Sequence, residues 1–553
     1  MTTLATRIER ATTEGGCITF VGSDSSSTDR VEWAQLHDDA RGFAARLQAR
    51  GVAPGTHVAL LGPTTRPLVT AIQATWLAGA TVIVLPLPMR LASIEEFIAQ
   101  TRARVIAADA ALVVLDDELA PFLEPRAGDP PFVLLSELAP APGRPTASNF
   151  ERPPADPSSL AILQFTSGST AEPKGVMLPH DRVVANLDAA QIATTLNPAE
   201  DVLVSWLPLY HDMGLIGLLT LPMITGTDLV LAGAQDFMTA PARWMEWMSD
   251  FRGTATAGPN FAYALAARAL SRLDGLDLSR WRVGLNGAEP IDPSTVEAFC
   301  AAGARHGLNP GAVFCAFGMA EVTIAGTFPV PGEGMIVDSI DRRVLETDRY
   351  AAPRSGGDGT RRLARLGKPV KGLHIRIVDP ETGRSMRERE VGELEIKGTS
   401  VTTGYYRRPT ETARAFRDGW LRTGDLAYLV DGELVVCGRI KDVIIVGGRN
   451  VFPEDVERAV ASVEGVRAGN IIAFGVEGRQ GREAVVVVAE SKADGIGAVR
   501  DEVSKRVRSA VGVPPRDVVL VSPGTLPKTS SGKLQRALCR SRYLSAQLEP
   551  IGT

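Results

Sequence analysis

Short apolar runs alternate with helical stretches through the first two thirds of the chain, and this alternation predicts parallel strands joined by helices. Residues 160–165 (Leu-Ala-Ile-Leu-Gln-Phe) form the clearest buried strand. Further strands are expected at 112–115, 202–206, 229–231, 283–285 and 313–316, with another at 105–107 before an Ala-rich turn. Such alternation builds doubly wound sheets, whose ligands sit at the carboxyl ends of the strands. After residue 370 the runs shorten: 374–378, a turn at Pro380-Glu-Thr-Gly383 and 392–397 read as a hairpin in a small β module. The final segment mixes strands (433–437, 443–446, 484–489, 518–521) with helices. One helix starts at Pro453, with Glu454 and Asp455 in its first turn and Val456, Val460 and Val463 as its apolar stripe. The fold class is therefore α/β: two doubly wound sheets and a small β-barrel-like module, followed by a small α+β C-terminal part.

The stretch after strand 160–165, Thr166-Ser-Gly-Ser-Thr-Ala-Glu-Pro-Lys-Gly175, has the chemistry of a phosphate loop. Gly168 permits close backbone approach, Thr166, Ser167, Ser169 and Thr170 offer hydroxyl donors, and Lys174 adds a point charge. It lacks the G-x-x-x-x-G-K-[ST] spacing of a Walker loop, and a polar surface turn is the plain alternative. A Pro-rich segment, 140–157, reads as an extended connection leading to it.

A length of 553 residues implies two to four domains, and 44% apolar residues suit an ordinary α/β protein. The net charge of −5 gives no basic face for nucleic acid. Charge is uneven: residues 441–553 hold 17 Lys and Arg against 13 Asp and Glu, or +4, which leaves −9 for the rest. Arg536, Arg540 and Arg542 are candidate contacts for an acidic partner. Five dispersed cysteines and a charged N-terminus point to a reducing, cytoplasmic setting without structural zinc. The uncharged stretch 67–89 contains three prolines, Gln73 and Gly79, and is expected to be a buried helix and strand rather than a membrane span.

Seven segments taken together resemble the adenylate-forming superfamily of acyl-CoA synthetases, peptide-synthetase adenylation domains and fatty acyl-AMP ligases. They are 166–175, Trp206-Leu-Pro-Leu-Tyr-His-Asp-Met-Gly214, Asn286-Gly-Ala-Glu-Pro290, Phe317-Gly-Met-Ala-Glu321, Thr423-Gly-Asp425, Gly438-Arg-Ile-Lys441 and Pro527-Lys-Thr-Ser-Ser-Gly-Lys533. The resemblance implies ATP and Mg²⁺ as cofactors. It makes Lys533 the catalytic lysine bridging carboxylate and α-phosphate, His211 a gate or positioning residue, and Glu321 the metal ligand. It further implies nucleotide contacts from Gly287, Ala288, Glu289, Phe317, Gly318, Met319, Asp425 and Arg439, with Asp425 on the ribose hydroxyls. Trp206, Asp212, Met213 and Gly214 join His211 at the acyl site, and Lys441 becomes the hinge between domains 1–440 and 441–553. Phe317 departs from the tyrosine that relatives often carry, so a hydroxyl contact there is lost.

The 206–217 segment and Gly258-Pro-Asn-Phe-Ala-Tyr263 look most like fatty acyl-AMP ligases. So does the spacing from Glu321 to Gly367-Lys-Pro369, where 45 residues intervene. The excess, about 335–362, matches an insertion that in that subfamily restrains the C-terminal domain and disfavours CoA. The implied reaction makes acyl-AMP from a medium- or long-chain fatty acid and passes the acyl group to a holo acyl carrier protein. An acyl-CoA synthetase with a long loop and a catalytically silent acyl-binding homologue are the alternatives. Leu215, Ile216, Leu218, Leu219 and Leu221 suit an acyl tunnel or the core equally.

Overall fold

The computed structural model describes residues 2–22, 27–87, 94–139, 149–165, 174–478, 483–493, 495–529 and 532–551. Thirteen strands form the two large sheets: β1 (Cys17–Val21), β2 (Thr28–Glu32), β3 (His57–Leu61), β4 (Thr81–Val84), β5 (Leu112–Leu115), β6 (Phe132–Leu134), β7 (Leu160–Phe165), β8 (Gly175–Pro179), β9 (Val202–Ser205), β10 (Asp228–Ala232), β11 (Ala255–Gly258), β12 (Val283–Asn286) and β13 (Val313–Cys315). One sheet has the order β13-β12-β11-β9-β10-β1-β2, the other β6-β5-β3-β4-β7-β8. Pairing is parallel except at the edges β2 and β8, which run antiparallel to β1 and β7. Fully buried Val, Ile and Leu fill the central strands, as sheets covered on both faces require.

The expected strand at 105–107 is instead the end of a helix, Ile94–Ala107. Glu95 and Glu96 in its first turn and Arg104 in its last favour the helix dipole. No edge is open to such a strand either, since β5 already pairs with β3 and β6. The described part of the 67–89 stretch holds a buried helix, Arg66–Leu77, and strand β4, as expected. Among the described residues no helix is long and apolar enough to cross a membrane.

Leu373–Val378 and Gly392–Gly398 form the antiparallel hairpin of a five-stranded module completed by Phe416–Arg417, Trp420–Val430 and Glu433–Arg439. Beyond it, Val466–Glu477, Glu483–Ser491 and Asp517–Val521 make a three-stranded sheet. Helices Pro453–Ala461 and Ile496–Val511 pack on it through Val456, Val460, Val503 and Val507.

Residues 337–364 form a structured excursion: strands Val337–Asp341 and Thr360–Ala364 pair antiparallel around helix Arg342–Asp348. Ile340, Leu345 and Leu363 join Tyr428, Val435 and Phe452 in a core of their own. The excursion also grips the C-terminal part. Arg361 lies 2.9 Å from Asp455, stands 4.4 Å from the Phe452 ring centroid and donates to the Cys437 carbonyl. Glu346 pairs with Arg449 at 3.5 Å, and its carbonyl accepts from Asn450.

Candidate active site

The 286–290 and 317–321 segments leave the carboxyl ends of β12 and β13, which are neighbours in one sheet. The 166–175 loop follows β7 of the other sheet, so the candidate segments come from both sheets. Gln164, at the end of β7, donates to the Tyr210 carbonyl at 2.9 Å and ties the two together. Thr166, Ser167, Gly168, Ser169 and Thr170 lie outside the described residues. Lys174 is described, with its ammonium 5.2 Å from the Tyr405 ring centroid.

Lys533 reaches this place from a tight turn. Lys533 N–H donates to Thr529 Oγ1, Thr529 N–H donates to the Lys533 carbonyl, and Gly532 takes a φ of +88° that disfavours any side chain. The lysine Nζ lies 3.2 Å from His211 Nε2, and His211 Nδ1 lies 2.7 Å from Asp212 Oδ1. A chain of three groups therefore runs Asp212–His211–Lys533. Burial pushes the Lys533 amine down, while Asp212 and Glu289 oppose that shift. Asp212 resists its own burial because His211 and Lys533 hold it below the ordinary carboxylate range.

Asp212 also caps a π-helical turn, Met213–Thr220, by accepting from Met213 N–H. Gly214 is required there, since a Cβ would fall 2.3 Å from the Pro208 carbonyl oxygen. Trp206 is buried and stacks on Phe237 at 3.6 Å between centroids, which makes it part of an aromatic core with Trp244. Leu215, Ile216 and Leu219 are fully buried in the main core.

On the nucleotide side, Glu289 is half-buried and accepts from Phe261 N–H at 2.7 Å; desolvation raises its proton affinity. Ala288 takes a φ of +70°, and Gly287 sits where a Cβ would press the Ala316 carbonyl at 3.1 Å. At Gly318 a Cβ would meet the Ile324 carbonyl oxygen at 1.9 Å, so the chain folds back on itself through Phe317, Gly318 and Met319 only with glycine present. The buried Asn286 Oδ1 and Trp206 Nε1 have no hydrogen-bond partner among the described residues. Asp425 and Arg439 face each other in register on paired strands, 3.1 Å apart, and burial raises the Asp425 proton affinity despite that neighbour. Lys441 lies in a single exposed turn, Ile440–Asp442.

Glu321 is buried, and its Oε1 accepts from the Tyr405 hydroxyl at 2.9 Å. Burial raises its proton affinity, and the hydrogen bond from Tyr405 opposes that shift. Among the described residues no three His, Cys, Asp or Glu side chains gather into a metal cage. A lone hard carboxylate of this kind suits a divalent cation whose other ligands are phosphate and water. Tyr405 escaped the sequence reading; its only signal was a glycine followed by two aromatics in Gly404-Tyr-Tyr406. An open cleft of about 670 Å³ lined by Arg30, Glu32, Asp201 and Asp228 lies at the amino ends of β9 and β10, away from these groups.

Arg536 is not available as a surface contact. It is held by Asp442, Glu454 and Glu457, all within 3.5 Å, while Arg540 on the same helix is exposed and Arg542 half-buried.

A family model described as AMP-binding enzyme matches residues 9–406. A protein of Caulobacter vibrioides named as an acyl-CoA synthetase is 35% identical over 98% of this chain and 95% of its own length. The medium-chain-fatty-acid–[acyl-carrier-protein] ligase JamA of Moorena producens is 31% identical over 96% of this chain and 92% of its own. A solved structure from work on fatty acyl-adenylate ligases of E. coli and L. pneumophila superposes with a TM-score of 0.91 at 31% identity, covering 99% of this chain and 98% of that one.

Proposed function

The chain belongs to the AMP-binding enzyme family, and from that premise we propose that it activates a medium- or long-chain fatty acid as acyl-AMP. A carboxylate oxygen of the acid attacks the α-phosphorus of ATP, and the bond to the β-phosphate oxygen breaks, releasing pyrophosphate. Both reactants are anions, so the protein's work is to neutralise charge and align them. The observation that carries the reading is the half-buried meeting of Lys533 with His211 and Asp212 at the mouth of the 206–214 segment.

In this scheme Lys533 bridges the carboxylate and the α-phosphate, and His211, oriented by Asp212, guides the acid to it. Met213 and Gly214 shape the acyl entrance, while Trp206 supports it from the aromatic core. Lys174 and the 166–170 loop take the phosphates. Phe317, Gly318 and Met319 with Gly287, Ala288 and Glu289 line the base, and the unpartnered Asn286 Oδ1 suits a donor such as the adenine amine. Asp425 takes the ribose hydroxyls with Arg439 beside it. Glu321 would hold Mg²⁺, which when bound neutralises phosphate charge.

The acyl group then passes to the phosphopantetheine thiol of a holo acyl carrier protein, the acceptor named for the Moorena relative. The ordered excursion 337–364 supports this choice, since Arg361 and Glu346 fasten it to 449–455 and so oppose rotation of 441–553 about Lys441. Arg540 and Arg542 remain as contacts for an acidic carrier, and the five unpaired cysteines suit a cytoplasmic setting. A CoA acceptor is the second reading, favoured by the name of the Caulobacter relative.

Exchange of labelled pyrophosphate into ATP across a panel of aliphatic acids tests the first step. No exchange with any of them would refute it. Thioester formation with CoA against a holo carrier separates the acceptors, and efficient acyl-CoA synthesis would overturn the carrier assignment.

A further inference from the structure

One phenol touches both charged groups assigned to the triphosphate. The Tyr405 hydroxyl donates to Glu321 Oε1 at 2.9 Å, and its ring face receives the Lys174 ammonium at 5.2 Å from the centroid. The backbone on either side of it is tied to the segments that carry those two neighbours. Thr402 N–H donates to the carbonyl of Glu321 itself at 2.7 Å, and Thr402 Oγ1 donates to the Met177 carbonyl at 2.7 Å. Met177 N–H then donates to the Gly404 carbonyl, and Tyr406 N–H to the Gly175 carbonyl. Residues 402–406 are thus a strap bonded on one side to the segment carrying Glu321 and on the other to β8, which follows Lys174. Tyr405 N–H donates to Thr412 Oγ1, and Gly404 passes so close to Thr412 that a Cβ would fall 2.5 Å from its Cγ2. The ring therefore has a fixed base.

We propose that Tyr405 is a positioning residue of the nucleotide site, holding the Glu321 carboxylate by its hydroxyl and seating Lys174 on its ring so that both meet one triphosphate in register. The hydroxyl occupies one carboxylate oxygen and leaves the other to turn toward a cation. The ring keeps the ammonium beside the loop instead of dispersed in solvent. This rests on the nucleotide reading of Glu321 and Lys174 given above.

Calorimetric titration of ATP into the full chain, once with MgCl₂ and once with EDTA, tests it. Tyr405→Phe keeps the ring and removes the hydroxyl, so affinity for ATP with magnesium should fall about tenfold, as for one hydrogen bond to a charged group, with little change in EDTA. Tyr405→Leu removes the ring as well, and should add a loss of about threefold in EDTA. In pyrophosphate exchange, Tyr405→Phe should raise the Mg²⁺ concentration for half-activation by a similar tenfold. An affinity within twofold of wild type for Tyr405→Phe with magnesium would overturn the proposal. So would an equal loss with and without magnesium, which marks a generally damaged pocket. Glu321→Gln is the control for the premise: if it retains the full magnesium effect, the metal reading of Glu321 falls, independently of Tyr405.

Discussion

Replacing Arg361 by methionine removes a buried guanidinium while keeping most of its volume. Its side chain is 2% exposed and that of its partner Asp455 5%, so the substitution strands a carboxylate away from water. Breaking a buried pair by removing one member costs about 3–5 kcal/mol. Two details favour the lower figure. The Arg361 Nε lies 2.9 Å from Asp455 Oδ1 without hydrogen-bond alignment, and Arg458 stands 3.7 Å from the same oxygen as a partial substitute. About 3 kcal/mol is roughly two decades in an equilibrium constant. If the C-terminal part stays docked, Arg361→Met lowers the thermal midpoint; if it releases, acyl-AMP formation slows and thioester formation with CoA rises. Melting curves and parallel assays with CoA and a holo carrier read both branches. Adding Asp455→Leu should recover most of the loss, because an apolar pair of similar volume replaces the ion pair. Wild-type melting and a wild-type acceptor ratio in the single variant would refute the reasoning, and the excursion would then be a passive loop.

Lys533→Ala should slow acyl-AMP formation at least ~10²-fold, the scale of one preorganised charge stabiliser; near-normal pyrophosphate release would remove Lys533 from the mechanism. Asp212→Asn withdraws a carboxylate that, with Glu289, supports the Lys533 proton against burial, while Arg439 opposes it and His211 touches the amine. The alkaline limb of the adenylation pH profile should therefore move to lower pH, and an unmoved limb would sever Asp212 from Lys533. Glu346 has its pKa raised by burial from 4.5 to about 6. The folded chain then binds the extra proton between those values, so stability is fullest below pH 4.5 and declines as pH rises to 6, by about 2 kcal/mol. Glu346→Gln should melt higher than wild type at pH 7.5 but not at pH 4.5, and an equal difference at both would contradict this.

The strands were legible because each is short, apolar and bounded by turn residues: β7, β10 and β12 fall at or within a residue of the expected positions. Local apolar pattern misled at 105–107, where Val105 and Ile106 belong to a helix; the charges at that helix's ends and the crowding of β5 by two partners decide against a strand. The site residues could be named from motifs, but their joining could not. The pairing of Lys533 with His211 depends on how a C-terminal turn docks, and no periodicity reports that. Arg536 failed for a related reason: a run of arginines on a helix carries no sign that three acids from Asp442, Glu454 and Glu457 face one of them. Tyr405 was invisible because a tyrosine in a strap has no charge or spacing to mark it.

His211 and Lys533 are separated by 322 positions. During synthesis the ribosome must therefore add every intervening residue before the amine can meet the imidazole. A chain cut short anywhere in that interval lacks the lysine to which the proposed mechanism assigns adenylation. Under the proposed mechanism, abortive or clipped products that end before Lys533 make no mixed anhydride.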